Sequence, residues 1–201
     1  MATQDPVILA FDTSAAHCAA ALVSGDALLV CRSEEMGRGQ AERLMPMLEE
    51  VLARGGKSWQ DLDALGVGVG PGNFTGIRIA VSAARGLALG LGIPAVGVSG
   101  FEARAAVAPD GSLAAIPAPR GQIYLALPGD AIRVLDAEEA RVLAHDLGKS
   151  LVIDAVPTQI VEAIARIAAM RWTSAGEPPA PLYARPADAA PSRDAAPVLL
   201  D

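Results

Sequence analysis

Apolar positions in the first half of the chain form two kinds of pattern, short continuous runs and repeats at helical spacing. The short runs are bounded by turn residues and predict strands at 7–12, 17–24, 27–32, 64–69 and 95–98. The helical repeats predict helices at 40–54, 76–90 and 101–107. Strands that alternate with helices in this way predict an α/β fold.

The second half carries a weaker version of the same pattern. Strands are predicted at 113–116, 122–127, 131–135 and 151–155, and helices at 137–145 and from Thr158, which is predicted to be the N-cap. The turn at 108–111 is the best candidate for a boundary, so we expect one lobe over 1–107 and a smaller one over 108–171. Residues 172–201 are rich in Ala and Pro without periodicity, which predicts an extended strap that is disordered in part.

Composition and charge narrow the classes of protein. The chain has 201 residues, is 52% hydrophobic and carries a formal charge of −7. With so few and such scattered basic residues, it lacks the positive surface by which a stand-alone nucleic-acid binder neutralises phosphates. No signal peptide is expected after Asp5 and Pro6, and the charge-free stretch 86–101 is broken by Pro94, so we expect a cytoplasmic protein with no membrane span.

Residues for nucleophilic or metal chemistry are scarce. Cys18 and Cys31 lack the CxxC spacing of a zinc or redox site and are expected to be buried thiols. His17 and His145 lie near no nucleophile motif and near no cluster of metal ligands. We therefore expect no catalytic residues, no metal and no cofactor.

A glycine-rich loop at 70–76 stands between a predicted strand and a predicted helix. Such a loop can hold an anion on the backbone amides of the helix start, or it can be a tight structural turn. The spacing of its glycines fits neither a P-loop nor GxGxxG. The acid, threonine and serine at 12–14 after the first strand leave the same two alternatives open, a phosphate or metal contact or an ordinary turn.

Four segments taken together resemble one known family. They are ILAFDTSAAHCAAALV, RLMPMLEEVL, ALGVGVGPGNFTGIRIAVSAARGLALG and IPAVGVSGFEARA, in this order and spacing. The chain is similar to the TsaB (YeaZ) family over its first half, and GQIY and PLYARP are weaker similarities further on. The positions that match the family's loop motifs are Asp12, Thr13, Ser14, Gly70, Pro71, Gly72, Asn73, Phe74, Thr75, Gly76 and Arg78.

This resemblance implies a two-lobed fold like that of actin, Hsp70 and sugar kinases, with a second lobe trimmed in this short chain. It also implies a partner role beside the catalytic subunit TsaD and the ATPase TsaE, which together place threonylcarbamoyl on N6 of adenosine 37 in tRNA. Catalytic relatives bind a metal through two histidines four residues apart, where this chain has Gly100 and Arg104. Neither residue can ligate a catalytic metal. Gln40 and the 118–119 pair also depart from the family pattern and weaken the case for a nucleotide pocket.

Three hypotheses follow for the function. The first is a non-catalytic scaffold that packs helices 40–54 and 76–90 against TsaD and meets tRNA only through the complex. Its interface is predicted at Leu44, Met47, Leu48, Val51, Ile77, Ala80, Val81 and Ala84. The second is an enzyme, either a kinase-like phosphotransferase or ATPase using Asp12 and the glycine-rich loop, or a metallopeptidase. The third is self-association, with a homodimer forming when TsaD is missing.

Overall fold

The computed structural model describes residues 5–127 and 129–184. Nine strands and five helices of more than one turn alternate along these residues. The strands are β1 (Val7–Asp12), β2 (His17–Ser24), β3 (Ala27–Glu35), β4 (Ala64–Gly68), β5 (Ala95–Val98), β6 (Ser112–Pro117), β7 (Ile123–Leu125), β8 (Arg133–Leu135) and β9 (Ser150–Val152). The helices are α1 (Gln40–Arg54), α2 (Phe74–Leu91), α3 (Gly100–Val107), α4 (Ala137–Asp146) and α5 (Pro157–Arg171).

The first sheet has five strands in the order β3-β2-β1-β4-β5. Strands β1, β2 and β3 form an antiparallel meander, whereas β4 pairs parallel with both β1 and β5. Alternate side chains of β1 enter two separate cores, because successive residues of a strand point to opposite faces. Leu9 and Phe11 pack beneath α1 and α2, and Ile8 and Ala10 pack against α5. The result is a layer of helices on each side of the sheet.

Helices α1 and α2 bury their apolar stripes in this first core. The stripes include the eight residues predicted for the partner interface, and each of these side chains is at most 2% exposed. They therefore pack inside the chain and do not face a partner, because the sheet beneath the helices covers them. A partner that binds these helices would contact their outward faces. An interface here stays a prediction, and the residues that form it would be the exposed ones.

The second sheet repeats the arrangement of the first without a fifth strand. Its order is β8-β7-β6-β9, with an antiparallel meander followed by a parallel pair. Helix α4 covers one face through Ala140 and Ala144, which pack on Leu113 and Leu125. This duplicated arrangement confirms the two-lobed, actin-like fold and the smaller second half.

Helix α5 differs from the expectation at its start and in the sheet that it covers. It begins at Pro157 with Val156 as its N-cap, so Thr158 lies inside the first turn and the prediction of its capping role was wrong. Proline is well suited to a first helical position, since its missing amide proton has no partner there. Ile160 and Ile164 pack against the first sheet and not the second.

The chain after α5 crosses back over the first sheet as an extended segment, which we call the strap (residues 175–184). The amide of Leu182 donates to the carbonyl of Val69 at 2.8 Å, and the Leu182 side chain packs against the core beneath α2. Pro179 lies against Gly97 of β5. The predicted strap is thus seen over these residues, and its continuation through 185–201 lies outside the described part of the chain.

Helix α2 is long and apolar enough to cross a membrane by length and composition alone. One such helix is weak evidence for a span, because the core helix of a globular protein passes the same test. Here one side of α2 packs on β4 and α1, and the opposite side carries Arg78 and Arg85.

Candidate functional site

Asp12 ends β1 and lies at the centre of a buried polar cluster. Its carboxylate accepts hydrogen bonds from the Nε2 atom of His17 at 2.9 Å, from the Ser14 hydroxyl at 3.0 Å and from the Ser14 amide at 3.1 Å. Because an ionised carboxylate can only accept, the Nε2 atom of His17 carries the proton in this pair. Burial, the largest influence, raises the pKa of Asp12, but the contacts with His17 and Ser14 outweigh it and hold that pKa below its usual value.

The glycine-rich loop packs directly on the residues that follow Asp12. The Thr13 hydroxyl donates to the carbonyl of Gly76 at 2.7 Å, and the amide of Asn73 donates to the carbonyl of Ser14 at 2.7 Å. A Cβ atom on Gly72 would collide with the Ser14 carbonyl, and one on Gly76 with the Thr13 carbonyl. Glycine is therefore needed here for close backbone approach, which supports the structural-turn alternative for this loop.

The start of α2 is already capped by its own chain. The side-chain oxygen of Asn73 accepts from the amide of Gly76 at 2.8 Å, and its carbonyl accepts from the amide of Ile77 at 2.9 Å. The Gly76 amide is one that a bound phosphate would otherwise use, whereas the bond from Ile77 is the first hydrogen bond within the helix itself. The peptide between Gly70 and Pro71 is cis, and the carbonyl of Gly70 accepts from the amide of Gly100 at 2.8 Å. An anion at this helix start would have to displace the Asn73 cap.

Arg104 of α3 lies beside Gly100, one turn earlier on the same helix. Its Nη1 atom lies 3.3 Å from the position that a Cβ on Gly100 would take, and it donates a long bond of 3.4 Å to the Gly100 carbonyl. Burial, the largest influence, lowers the pKa of Arg104, although the charge of Asp12 acts in the opposite direction. A guanidinium beside a residue without a side chain does not fit a metal ion, so no chemistry through a metal is derived at this position.

The other candidate side chains are placed apart from this cluster. Within residues 5–127 and 129–184, no three His, Cys, Asp or Glu side chains come close enough to hold a metal. Burial raises the pKa of both Cys18 and Cys31 to about 11, which keeps these thiols protonated and unreactive near neutral pH. His145 is exposed near the end of α4, with Asp146 3.7 Å away.

At the start of α2, two aromatic rings and one arginine form a cluster on the protein surface. Phe74 stacks on Tyr183 of the strap with ring centroids 5.1 Å apart. The Arg78 guanidinium lies 3.9 Å from the centroid of the Phe74 ring, and its Nε donates to the Tyr183 hydroxyl at 2.9 Å. Phe74 and Arg78 are thus surface residues, whereas Gly76, between them in sequence, is buried.

Sequence reasoning identified the loop at 70–76 and the residues at 12–14, and the structure brings them together. It missed the pairing of Asp12 with His17, which flank the turn between β1 and β2. The available signal was an acid and a histidine at facing ends of two adjacent strands. It also missed the position of Arg104 near Asp12, since nothing in the local sequence places α3 beside the end of β1.

Comparisons with known proteins match a family model over most of the chain and several relatives over part or all of it. Residues 34–179 match the family model described as TsaD, tRNA N6-adenosine threonylcarbamoyltransferase. The tRNA threonylcarbamoyladenosine biosynthesis protein TsaB of Escherichia coli K12 is 40% identical over 124 residues, which cover 59% of this chain and 53% of that protein. An uncharacterized protein of Mycobacterium bovis is 31% identical over 202 residues, covering 94% of this chain and 96% of its own length.

Among solved structures, YeaZ from Pseudomonas aeruginosa superposes with a TM-score of 0.69 at 26% identity, covering 89% of this chain and 99% of that one. The chain aligns with about half the length of the Escherichia coli and Haemophilus influenzae TsaB proteins, at 53% of each.

Proposed function

The chain belongs to the TsaB (YeaZ) family, and from this premise we propose that it is a non-catalytic subunit of the machinery that makes threonylcarbamoyladenosine in tRNA. Its proposed partners are a TsaD-type catalytic subunit and a TsaE-type ATPase in the cytoplasm. It would meet tRNA only through the complex, since the chain carries a formal charge of −7.

The observation that carries this proposal is how the side chains of the motif are used. Asp12, Thr13 and Ser14 make hydrogen bonds to the protein itself, and the Gly76 amide in the first turn of α2 is capped by Asn73. Arg104 and Gly100 stand at the two positions where the family resemblance implies metal-binding histidines in catalytic relatives, and neither can ligate a metal. The carboxylate and hydroxyls at 12–14 bond within the chain, which supports a structural role more than turnover, although the buried Nε of Arg104 has no hydrogen-bond partner among the described residues.

The partner surface is proposed on the outward faces of α1 and α2. These helices lie side by side on one face of the first sheet and expose Met45, Phe74 and Leu89. Exposed apolar side chains on adjacent helices are a common form of protein interface. The inward faces of α1 and α2 pack in the core. The eight residues that the sequence predicted for the partner contact lie on these inward faces and are buried.

The enzyme alternatives find less support in the geometry. A kinase-like reaction needs backbone amides and a carboxylate free to hold phosphate and metal, and here the Asp12 carboxylate and the Gly76 amide are engaged within the chain. A metallopeptidase needs metal ligands that the Gly100 and Arg104 positions lack.

The decisive experiment is threonylcarbamoylation of tRNA by the TsaD-type and TsaE-type proteins from the same cell. Both are supplied with threonylcarbamoyl adenylate, and this chain is added or omitted. Modification is expected only when the chain is added, and the chain alone should neither modify tRNA nor hydrolyse ATP. Equal modification without it would overturn the proposed role.

A matched pair of variants locates the surface. Ser82→Trp places a bulky ring on the exposed side of α2 and is expected to reduce stimulation of the partner at least tenfold. Val142→Trp makes a comparable change at an exposed position of α4, on the second sheet, and should leave stimulation unchanged. Equal effects of the two would place the partner elsewhere.

A further inference from the structure

The second sheet has an open edge at β9. The order β8-β7-β6-β9 puts this strand last, and among residues 5–127 and 129–184 it pairs with β6 alone, in parallel. An edge strand turns a row of amides and carbonyls toward the side where no strand lies. In the first sheet the equivalent strand, β4, is covered on that side by β5.

The course of the chain explains why this edge is open. In the first sheet the chain leaves β4, runs through α2 and returns to add β5. After β9 it enters α5 instead, which packs on β1, β2 and β4, and the strap then bonds to Val69. In the part of the chain that the structure describes, no segment after β9 therefore returns to supply a fifth strand to the second sheet.

A groove of about 390 Å³ lies beside this edge, between β9 and the last turns of α4. Leu151 and Ile153 line it. They are two residues apart on an extended chain and so point to the same face of the sheet. Both are half-buried and pack against the core that α4 covers. The groove thus has an apolar floor next to the open backbone edge.

Basic side chains form the rim of the groove. Arg141, His145 and Lys149 line it, and Asp154 is the one acid among the described residues that do so. The formal charge of the whole chain is −7, so this group of basic residues stands against the general charge. The side chain of Arg141 is 63% exposed, and its contact with Glu138 is 3.4 Å long, an exposed pair that contributes little.

The end of α4 fixes the position of Lys149. The amide of Lys149 donates to the carbonyl of Ala144 at 2.9 Å, and the amide of Gly148 donates to that of His145 at 2.9 Å. Gly148 has φ 64°, and this pair of bonds with a left-handed glycine is the Schellman turn that ends many helices. The turn leads directly into β9, so Lys149 stands at the start of the open strand.

These features together fit an extended polypeptide better than a nucleic acid. A peptide that adds to a sheet edge bonds through its backbone and sends alternate side chains into neighbouring pockets. Its side chains on the α4 face would meet the apolar floor and the basic rim, which favours acidic residues there. A nucleic acid could use the rim but has no strand to pair with the edge, and the charge of −7 opposes it.

We propose that the open edge of β9 binds an extended acidic segment of another protein, which adds to the second sheet as its fifth strand. The site lies on the second sheet, apart from the outward faces of α1 and α2, and does not depend on the function proposed above. Only a short edge is offered, so the contact is a transient one that strengthens when the partner is held elsewhere. Its affinity is expected to fall as salt rises.

The probe is a fluorescein-labelled synthetic peptide of about eight residues that alternates glutamate and valine. Fluorescence anisotropy with the full chain is expected to show saturable binding, and a lysine–valine peptide of equal length should bind about tenfold more weakly or worse. Two further peptides carry N-methyl groups on the glutamate amides or on the valine amides. Alternate amides of a strand face opposite edges, so one of these two peptides should lose binding and the other should keep it.

Variants of the chain test the rim. Arg141→Glu with Lys149→Glu is expected to weaken binding of the glutamate–valine peptide about tenfold or more and to improve binding of the lysine–valine peptide. Arg38→Glu with Arg54→Glu makes the same change in net charge at exposed positions of the first lobe and should leave both affinities unchanged. Arg141→Gln with Lys149→Gln gives a milder test should the reversed pair fail to fold, as judged by circular dichroism.

Hydrogen exchange locates the contact. Bound peptide is expected to slow exchange of amides within 150–153, because an edge strand becomes an interior one. Protection confined to other segments overturns the proposal, and so does equal binding of the two N-methylated peptides.

Other occupants give different results. Displacement of the peptide by single-stranded RNA of about eight nucleotides, with the same loss in the Arg141 and Lys149 variant, would assign the groove to nucleic acid and overturn the proposal. Self-association of the wild-type chain that this variant abolishes would assign the edge to a second copy and overturn it as well. If tRNA modification proceeds without the chain while the peptide results hold, the proposed function falls and the strand-addition site stands.

Discussion

At the scale of single residues, the Asp12 carboxylate joins several neighbouring groups by hydrogen bonds. It is 3% exposed and is held by His17 and by two donors of Ser14. A carboxylate whose pKa is depressed in the folded state stabilises the protein above its unfolded pKa, and this contribution is lost as the pH falls through the folded value. The family position at the end of β1 thus acts here as an anchor for the turn that carries Thr13 and Ser14.

Replacing Asp12 by asparagine tests this anchor through its pH dependence. Asp12→Asn is expected to lower the free energy of unfolding by about 1–3 kcal/mol at pH 7, because His17 and Ser14 lose an ionised acceptor. The difference from wild type should narrow as the pH falls below about 4, where the acid of the unfolded chain takes up a proton, and vanish below the lower pKa of the folded acid. Urea unfolding at a series of pH values measures it.

The control for that series is Asp110→Asn, which changes an acid in an exposed turn. Its unfolding curve should follow wild type across the range. A difference between Asp12→Asn and wild type that stays constant with pH would mean that the carboxylate is not the stabilising species.

At the scale of elements, α2 shows how one sequence serves two surfaces. Its buried side is built from small and branched apolar residues, and its outward side carries two arginines. Its first turn is positioned by glycines whose missing side chains let the backbone of 13–14 approach. The close contact of this turn with the end of β1 explains why loop and strand end are found together.

Two glycines of the same helix are expected to respond in opposite directions to alanine. Gly76→Ala drives a methyl group into the Thr13 carbonyl and should cost about 3 kcal/mol or more of unfolding free energy. Gly86→Ala meets nothing within 4 Å and should raise the unfolding free energy by about 0.5–1 kcal/mol. Chemical denaturation of both variants compares them, and similar effects would contradict the close approach at Gly76.

Much of this element structure could be predicted from the sequence. The strands at 7–12, 17–24 and 95–98 and the helix at 40–54 match in full, because hydrophobic periodicity and turn residues act locally. The start of α5 was placed one residue late, because Thr158 offers a capping side chain and Pro157 a preset backbone angle. Local pattern does not decide between two such signals.

What the sequence could not provide is the direction in which an apolar side chain points in space. Leu44 and Ala84 were predicted for a partner, yet they pack in the core, since an apolar helix face is equally suited to either. The eight-residue interface therefore stays a prediction, and its side chains are buried within this chain. The charged side chains on the outward side of α2, Arg78 and Arg85, were present in the sequence but carried no periodic apolar signal.

At the scale of the whole molecule, the second sheet is inserted between parts of the first unit. Helix α5 returns to cover β1, β2 and β4, and the strap then crosses to Val69 and Gly97. The division into lobes at 107 and 171 remains a prediction, but the contacts of α5 join the chain's later part to its first sheet. The apolar face of α5 could not by itself indicate which sheet it covers.

The strap is expected to be part of the fold and not an appendage. Leu182→Ala removes a side chain packed against the core beneath α2 and should lower the free energy of unfolding by about 1–2 kcal/mol. Glu177→Ala changes an exposed residue of the same segment and should have no measurable effect. Equal stability of the two variants in thermal and urea unfolding would show that the strap contributes nothing.

Because α5 follows the second sheet in sequence but covers the first, the first sheet is synthesised long before the helix that covers it. The face of the first sheet that carries Ile8, Ala10 and Val23 has no cover until residues 157–171 have left the exit tunnel. By then the strands and helices of the second sheet have already been made. For most of its translation the nascent chain therefore exposes one apolar side of a nearly complete sheet, which is the kind of surface that chaperones recognise.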